Sequence, residues 1–311
     1  MLKKVLLGVI TIMALLLVGC GKKDKVENLN LTYVKSPLNI PSILEKNLKM
    51  FDKEFEKDGI KVNFYELTTG PEQTNALVAG ELDILHALGG TSAIIAASNG
   101  VGLKIVNVYS RSPKGFMILT KNPEIKTPED LVGKKVGGPK GTILHQVLVG
   151  YLAKDGLKES DVQFINMRLP EAIAALESGN VDAALLAGPV ALKAIKNGAT
   201  VVTNGEGITQ GLIVTAVSNK FYKEHPELVK RFEKTNEEAV KYIKDHFDET
   251  VAITAKDTGL TSDQVLELYP LYDFNTEITP ADIKDLEDTQ EFLIKNGMQE
   301  HRINISDIIA K

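Results

Sequence analysis

From residue 28 onward the apolar positions fall into short runs separated by stretches with helical spacing, and glycine or proline marks most of the joins. Runs at Leu29 to Val34, Lys61 to Leu67, Ile84 to Leu88 and Leu103 to Tyr109 predict strands. A helix is expected from Pro41 towards Phe55, a second after Pro71, and an alanine-rich one after Gly89 that stops at Asn99-Gly100. The pattern then starts again. Strands are expected at Lys135 to Gly137, Val162 to Met167 and Ala183 to Ala187, with helices from Thr142 towards Ala153, after Pro170, and after Gly188 up to Asn197-Gly198.

The two series share more than rhythm. Ala76-Leu77-Val78-Ala79-Gly80-Glu81-Leu82-Asp83 and Ala175-Leu176-Glu177-Ser178-Gly179-Asn180-Val181-Asp182 lie 99 residues apart and follow one grammar, with Gly80 and Gly179 where a helix-terminating glycine belongs. Lys57-Asp58-Gly59 upstream echoes Lys154-Asp155-Gly156. Alternation of this kind predicts an α/β protein of two similar lobes with mainly parallel sheets. Phe116 to Thr120 and Leu212 to Ser218 are the expected crossings between lobes, so residues 28–115 and 217–311 are assigned to one lobe and 116–216 to the other. The tail is helical: Pro226 opens a segment with Leu228, Phe232, Ala239 and Ile243 on one face, and helices follow at about Thr250 to Thr258, Ser262 to Tyr269 and Thr279 to Asn296. These have no repeat partner and are expected to pack on the first lobe. Two lobes with two crossings make a hinge.

Ahead of this body stands an apolar stretch, Val5 to Val18, behind Lys3 and Lys4 and closed by Leu17-Val18-Gly19-Cys20. It is shorter than the roughly 20 residues that a spanning helix needs and reads as a signal peptide, residues 1–19, followed by a thiol that takes the lipid. Residues 20–27 then form a polar, lipidated tether. Cys20 is the one cysteine, so disulfides, thiolate metal sites and cysteine catalysis are not expected. Loss of Lys3 and Lys4 with the leader takes the net charge from −5 to −7, which speaks against nucleic acid as a partner. The five histidines form no His-Glu-x-x-His, and in Gly137-Gly138-Pro139-Lys140-Gly141 the lysine precedes the last glycine, unlike a nucleotide phosphate loop. No metal, cofactor or enzymatic activity is expected.

In open α/β sheets ligands bind beyond the carboxyl ends of the strands, where helices begin with unpaired N–H groups. Three loops per lobe qualify, and from them come the candidate ligand contacts Ser36, Asn39, Gly70, Gly90, Thr91, Ser92, Lys140, Gly141, Thr142 and Gly188. Glycines permit close approach, hydroxyls supply donors, and the helix dipoles favour an anionic group. Each serine or threonine is also a plausible helix cap without a ligand. Arg111, just before the first crossing, is a candidate charge near the cleft. His145, in the first turn of its helix, either reaches the ligand or packs under the loop.

Thr69 to Asp83, Lys126-Thr127-Pro128-Glu129-Asp130-Leu131-Val132-Gly133-Lys134-Lys135-Val136, Lys140-Gly141-Thr142 with His145, and His225-Pro226-Glu227-Leu228-Val229 together resemble the solute-binding lipoproteins of bacterial ABC importers. The resemblance is to the aliphatic sulfonate, nitrate and taurine type, which includes binders of thiamine-related pyrimidines. It implies a two-lobed type II periplasmic-binding-protein fold with a ligand cleft, and a small anionic solute held between the lobes. It further implies a monomer tethered through Cys20 to the outer face of the cytoplasmic membrane or in the periplasm, delivering to a permease and its ATPase. A pyrimidine binder or a surface sensor without transport is the alternative. Relatives often carry a histidine at the place of His145. Many also carry Trp-Asp-Pro-Tyr where this chain has Ala187-Gly188-Pro189-Val190, so a ring and a carboxylate are missing here.

Overall fold

A computed structural model describes residues 25–35 and 37–310, so the expected signal peptide, Cys20 and Ser36 lie outside the described residues. The ten strands of the described residues form two five-stranded sheets. The first contains β1 (Asn28–Thr32), β2 (Lys61–Tyr65), β3 (Ile84–Gly89), β4 (Leu103–Ser110) and β10 (Ile213–Ser218), in the order β2-β1-β3-β10-β4. The second contains β5 (Phe116–Thr120), β6 (Lys135–Gly138), β7 (Gln163–Asn166), β8 (Ala183–Ala187) and β9 (Thr200–Asn204), in the order β7-β6-β8-β5-β9. The orders superpose when β6 to β9 stand for β1 to β4 and β5 for β10. In each sheet the strand arriving from the other half lies next to last and antiparallel to both neighbours, while the pairings among the first three strands of each order are parallel.

Helices fill the connections: α1 (Ile40–Asn47), α2 (Met50–Phe55), α3 (Gly70–Val78) and α4 (Gly90–Ser98) serve the first sheet. The second has α5 (Ile143–Ala153), α6 (Leu169–Glu177) and α7 (Gly188–Lys196). The echoed glycines adopt the same left-handed backbone in both halves, with φ of +73° at Gly80 and +72° at Gly179. Each lets a helix stop and the chain turn into the next strand, where a Cβ would be strained.

The expected crossings need correcting. Phe116–Thr120 and Ile213–Ser218 are not links but interior strands, each paired on both sides, and their apolar character serves burial within a sheet. The chain crosses in the short segments just before them, at 111–115 and 205–212. The return to the first sheet therefore precedes residue 213, not 217.

The tail forms α8 (Asn219–Glu224), α9 (Pro226–Asp245), α10 (Phe247–Thr258), α11 (Ser262–Leu268), α12 (Pro280–Lys295) and α13 (Ile305–Ile308). Helix α9 packs on α1 and α2, α12 on α4, and α13 on β4. The tail also reaches the second half, where Glu267 of α11 pairs with Lys196 of α7 at 3.6 Å and Thr289 of α12 accepts from Gln146 of α5 at 3.4 Å. One apolar cluster runs through both halves, joining Leu38, Ile40 and Tyr109 to Val136, Ile143 and Leu185. The two halves are closed on each other. Among the described residues no helix is long and apolar enough to cross a membrane.

Candidate functional site

Between the sheets lies a cavity of about 70 Å³, space for roughly five water-sized groups at about 10–15 Å³ each. Five helices point their N-termini at it. Gly70 opens α3, Gly89 caps α4, Thr142 caps α5, Leu169 opens α6 and Ala187 caps α7, and all five residues line the wall. The sequence builds these ends locally. Thr69 and Glu72 form a reciprocal capping box at α3 with Pro71 in the first turn, and the Thr142 hydroxyl accepts from the His145 N–H at α5.

Thr68, Thr69, Gln73, Ser92 and Thr142 supply the polar side chains of the wall, while Val34, Phe116, Ile143, Leu144 and Ile213 supply apolar surface. Among the described residues no Asp, Glu, Lys, Arg or His lines it. The positive ends of five helix dipoles in a wall without charged side chains suit a small anion. Ala87, also in the wall, has φ +77° at a register shift between β3 and β10. An L-residue in that conformation costs about 1–2 kcal/mol, and strain of this kind gathers at working sites.

A second hollow, of about 500 Å³, shares Thr69 and Pro139 with the cavity and forms its mouth. Lys140 and Arg168 stand there, paired at 3.3 Å with Glu159 and Glu72 respectively. The Glu72–Arg168 pair bridges the halves. Two hydroxyls bridge them deeper in: Ser92 donates to the Gly141 carbonyl at 2.8 Å, and Thr91 donates to Gln146 Oε1 at 2.5 Å.

Of the candidates read from sequence, Gly70, Ser92 and Thr142 stand in the cavity wall. Thr91 and Gly141 act behind it, in the bonds that join the halves. Gly90 does not face the cavity: its N–H donates to the Leu212 carbonyl at 2.7 Å, and a Cβ there would meet that oxygen and Leu286. Asn39 is buried, with its amide donating to the Val34 carbonyl, and is not part of the wall. Lys140 belongs to the mouth. Gly188 does not line the cavity but touches the other half, where a Cβ would fall 1.7 Å from the Pro37 carbonyl oxygen.

Arg111 is a strut rather than a cleft charge. Its guanidinium holds Asp282 through two bonds of 2.7 and 2.6 Å, reaches Asp273, and donates to the carbonyls of Asn275 and Glu277. Those partners lie more than 160 residues away, so the sequence displayed the charge without its use. His145 packs under the loop. Gly141 N–H donates to its Nδ1 at 3.3 Å, Nε2 faces Glu159 at 2.9 Å, and Phe164 stacks on the ring. Burial first, then Lys140, pushes its pKa below the ordinary value against the pull of Glu159. The most informative residue missed by sequence reading is Gln73, an amide in the first turns of α3 that is 2% exposed. Among the described residues no group of His, Cys, Asp and Glu is arranged to hold a metal ion.

The family described as NMT1/THI5 like matches residues 55–250. A Bacillus subtilis (strain 168) protein whose name describes aliphatic sulfonate binding is 30% identical, over 97% of this chain and 94% of its own. The periplasmic aliphatic sulphonate binding protein SsuA from Escherichia coli superposes with a TM-score of 0.77 at 25% identity, covering 92% of each chain. The alkanesulfonate-binding SsuA from Xanthomonas axonopodis pv. citri, bound to MOPS, gives a TM-score of 0.84 at 22% identity, covering 92% of this chain and 99% of that one. Two equivalent sheets exchanging one strand each, a cavity between them and this extent of likeness establish that the chain belongs to the NMT1/THI5-like family and has the type II periplasmic-binding-protein fold.

Proposed function

We propose that this protein is the extracytoplasmic solute-binding component of an ABC importer. It captures a small anionic solute of the sulfonate kind between its halves and presents it to a permease driven by a cytoplasmic ATPase. The observation that carries this reading is the cavity between the halves on which five helix N-termini converge, with no charged side chain among the described residues of its wall. Such a site holds an anion by backbone N–H groups and hydroxyls, and releases it when the halves part. Family membership supports the same reading. No bond is made or broken in this proposal, since among its described residues the wall holds no nucleophile paired with a base. The protein acts as a monomer, without nucleic acid, tethered by lipid on Cys20.

Thermal shift and calorimetry with short alkanesulfonates, taurine, nitrate, sulfate and pyrimidines test it. At least one anion is expected to raise the melting temperature with concentration; at 100 times Kd the gain is about 2.7 kcal/mol. The bound compound should be recovered unchanged by mass spectrometry. Silence across the whole panel, or turnover, refutes the reading. Replacement Cys20→Ser is expected to move the protein from the membrane to the soluble fraction, and unchanged membrane retention refutes the tether.

A further inference from the structure

Two residues of the cavity wall each carry a buried polar atom without a hydrogen-bond partner among the described residues, Thr68 Oγ1 and Gln73 Oε1. The direction of the Gln73 amide is fixed by its other end, because Nε2 donates to the Leu67 carbonyl at 3.1 Å. A flipped amide would set oxygen against oxygen. The unpartnered end is therefore an acceptor, in a side chain that is 2% exposed. A buried acceptor left unmatched costs about 1–3 kcal/mol. The wall is thus complementary to a guest that brings an O–H or N–H as well as an acidic head.

Charge decides which donor. An ammonium drawn into this cavity would lose its water without meeting a carboxylate, since among the described residues none lines the wall. Glu72, at the mouth, is already engaged: Oε2 accepts from the Thr69 N–H at 3.1 Å and Oε1 pairs with Arg168 at 3.3 Å. Five positive helix ends repel a cation further. A hydroxyl meets neither objection.

Resting on the receptor reading above, we infer that the preferred guest is a small monoanion bearing a hydroxyl a few bonds from its acidic group. Gln73 Oε1 is the acceptor that reads the hydroxyl. Thr68 Oγ1 is free to donate to the acidic head.

Three sulfonates of matched size and shape separate the possibilities: 2-hydroxyethanesulfonate, 1-propanesulfonate and taurine, which differ only in a terminal OH, CH3 or NH3+. Calorimetry on the full chain is expected to rank the hydroxyl compound at least about tenfold above propanesulfonate, because a site built to bond a hydroxyl rejects the analogue lacking it. Taurine should be weakest of the three. Gln73→Leu should erase the hydroxyl preference, bringing the two uncharged-tail compounds to within about threefold, whereas Gln73→Glu should improve taurine relative to both. Propanesulfonate or taurine binding as tightly as the hydroxyl compound overturns the inference, as does a Gln73→Leu protein that keeps the preference. Should that variant fold poorly, the ranking on the native chain decides alone. If none of the three binds but nitrate or sulfate does, this inference falls and the receptor reading stands; if nothing binds, both fall.

Discussion

The hydrogen bond from the Gly141 N–H to His145 Nδ1 requires that nitrogen to be unprotonated, which leaves the proton on Nε2 to meet Glu159. A second proton would set two N–H groups against each other and loosen the 139–142 loop that forms one side of the cavity. Because the folded pKa lies below the ordinary value of about 6.5, the unfolded chain takes the proton first, and His145 contributes stability that is lost as the pH falls from about 6.5. Asp285, raised to about 6 by burial, and Glu233, raised to about 7 by burial, work in the opposite sense. Each binds its proton sooner when folded, so acidification through those values adds stability down towards the unfolded carboxyl range near 4. The histidine's share must be taken by difference. Between pH 7.5 and 5 the melting temperature of the native chain should fall more, or rise less, than that of His145→Gln. Parallel curves would remove the assigned role.

Four elements of the first half meet in a buried polar knot, which is where the scale of elements becomes decisive. Glu45 on α1 bonds His86 of β3 at 2.8 Å and Asn236 of α9 at 2.8 Å, while His86 Nδ1 meets Thr215 of β10 at 3.0 Å. Glu45 and His86 are both fully buried, and Phe51, Tyr109 and Phe232 set their rings edge-on to the imidazole. Removing one member strands the others. Glu45→Ala is expected to lower the unfolding free energy by about 3–5 kcal/mol, as for other broken buried pairs, read by urea denaturation, and a loss under about 1 kcal/mol would show that the knot is not fully formed. Nothing in the sequence singles out Glu45, since its two partners, His86 and Asn236, are remote in the chain. The elements themselves were legible, because apolar periodicity and the repeated glycine turns are local signals. The role of Ile213–Ser218 was not, as an apolar run does not say whether it links sheets or completes one. For the same reason Gly70, Ser92 and Thr142 were visible as helix-end residues, whereas the charge on Arg111 suggested a ligand until Asp282 claimed it.

At the scale of the whole molecule, the seating of the two halves leaves no room for a side chain at Gly188. It begins α7 with φ +56°, and a Cβ at this position would lie 1.7 Å from Pro37 oxygen and 2.4 Å from Pro37 carbon. These are backbone atoms of the opposite half, which cannot rotate away as a flexible side chain can. Gly198, at the far end of the same helix, also has positive φ, +91°, but nothing lies within 4 Å of its would-be Cβ. Alanine at either place incurs the left-handed backbone penalty of about 1–2 kcal/mol, so the pair separates local strain from obstruction between the halves. Gly188→Ala must hold the halves apart or shift the Pro37 segment, which leaves less of the protein in its binding-competent form and weakens apparent affinity in proportion. Against whichever anion the panel identifies, Gly188→Ala should bind at least about tenfold more weakly, equivalent to about 1.4 kcal/mol, and show a larger radius of gyration by solution scattering when ligand is present. Gly198→Ala should match the native chain within about twofold in affinity while losing similar thermal stability. Equal affinities for the two variants would mean that the closed seating of α7 on Pro37 plays no part in capture.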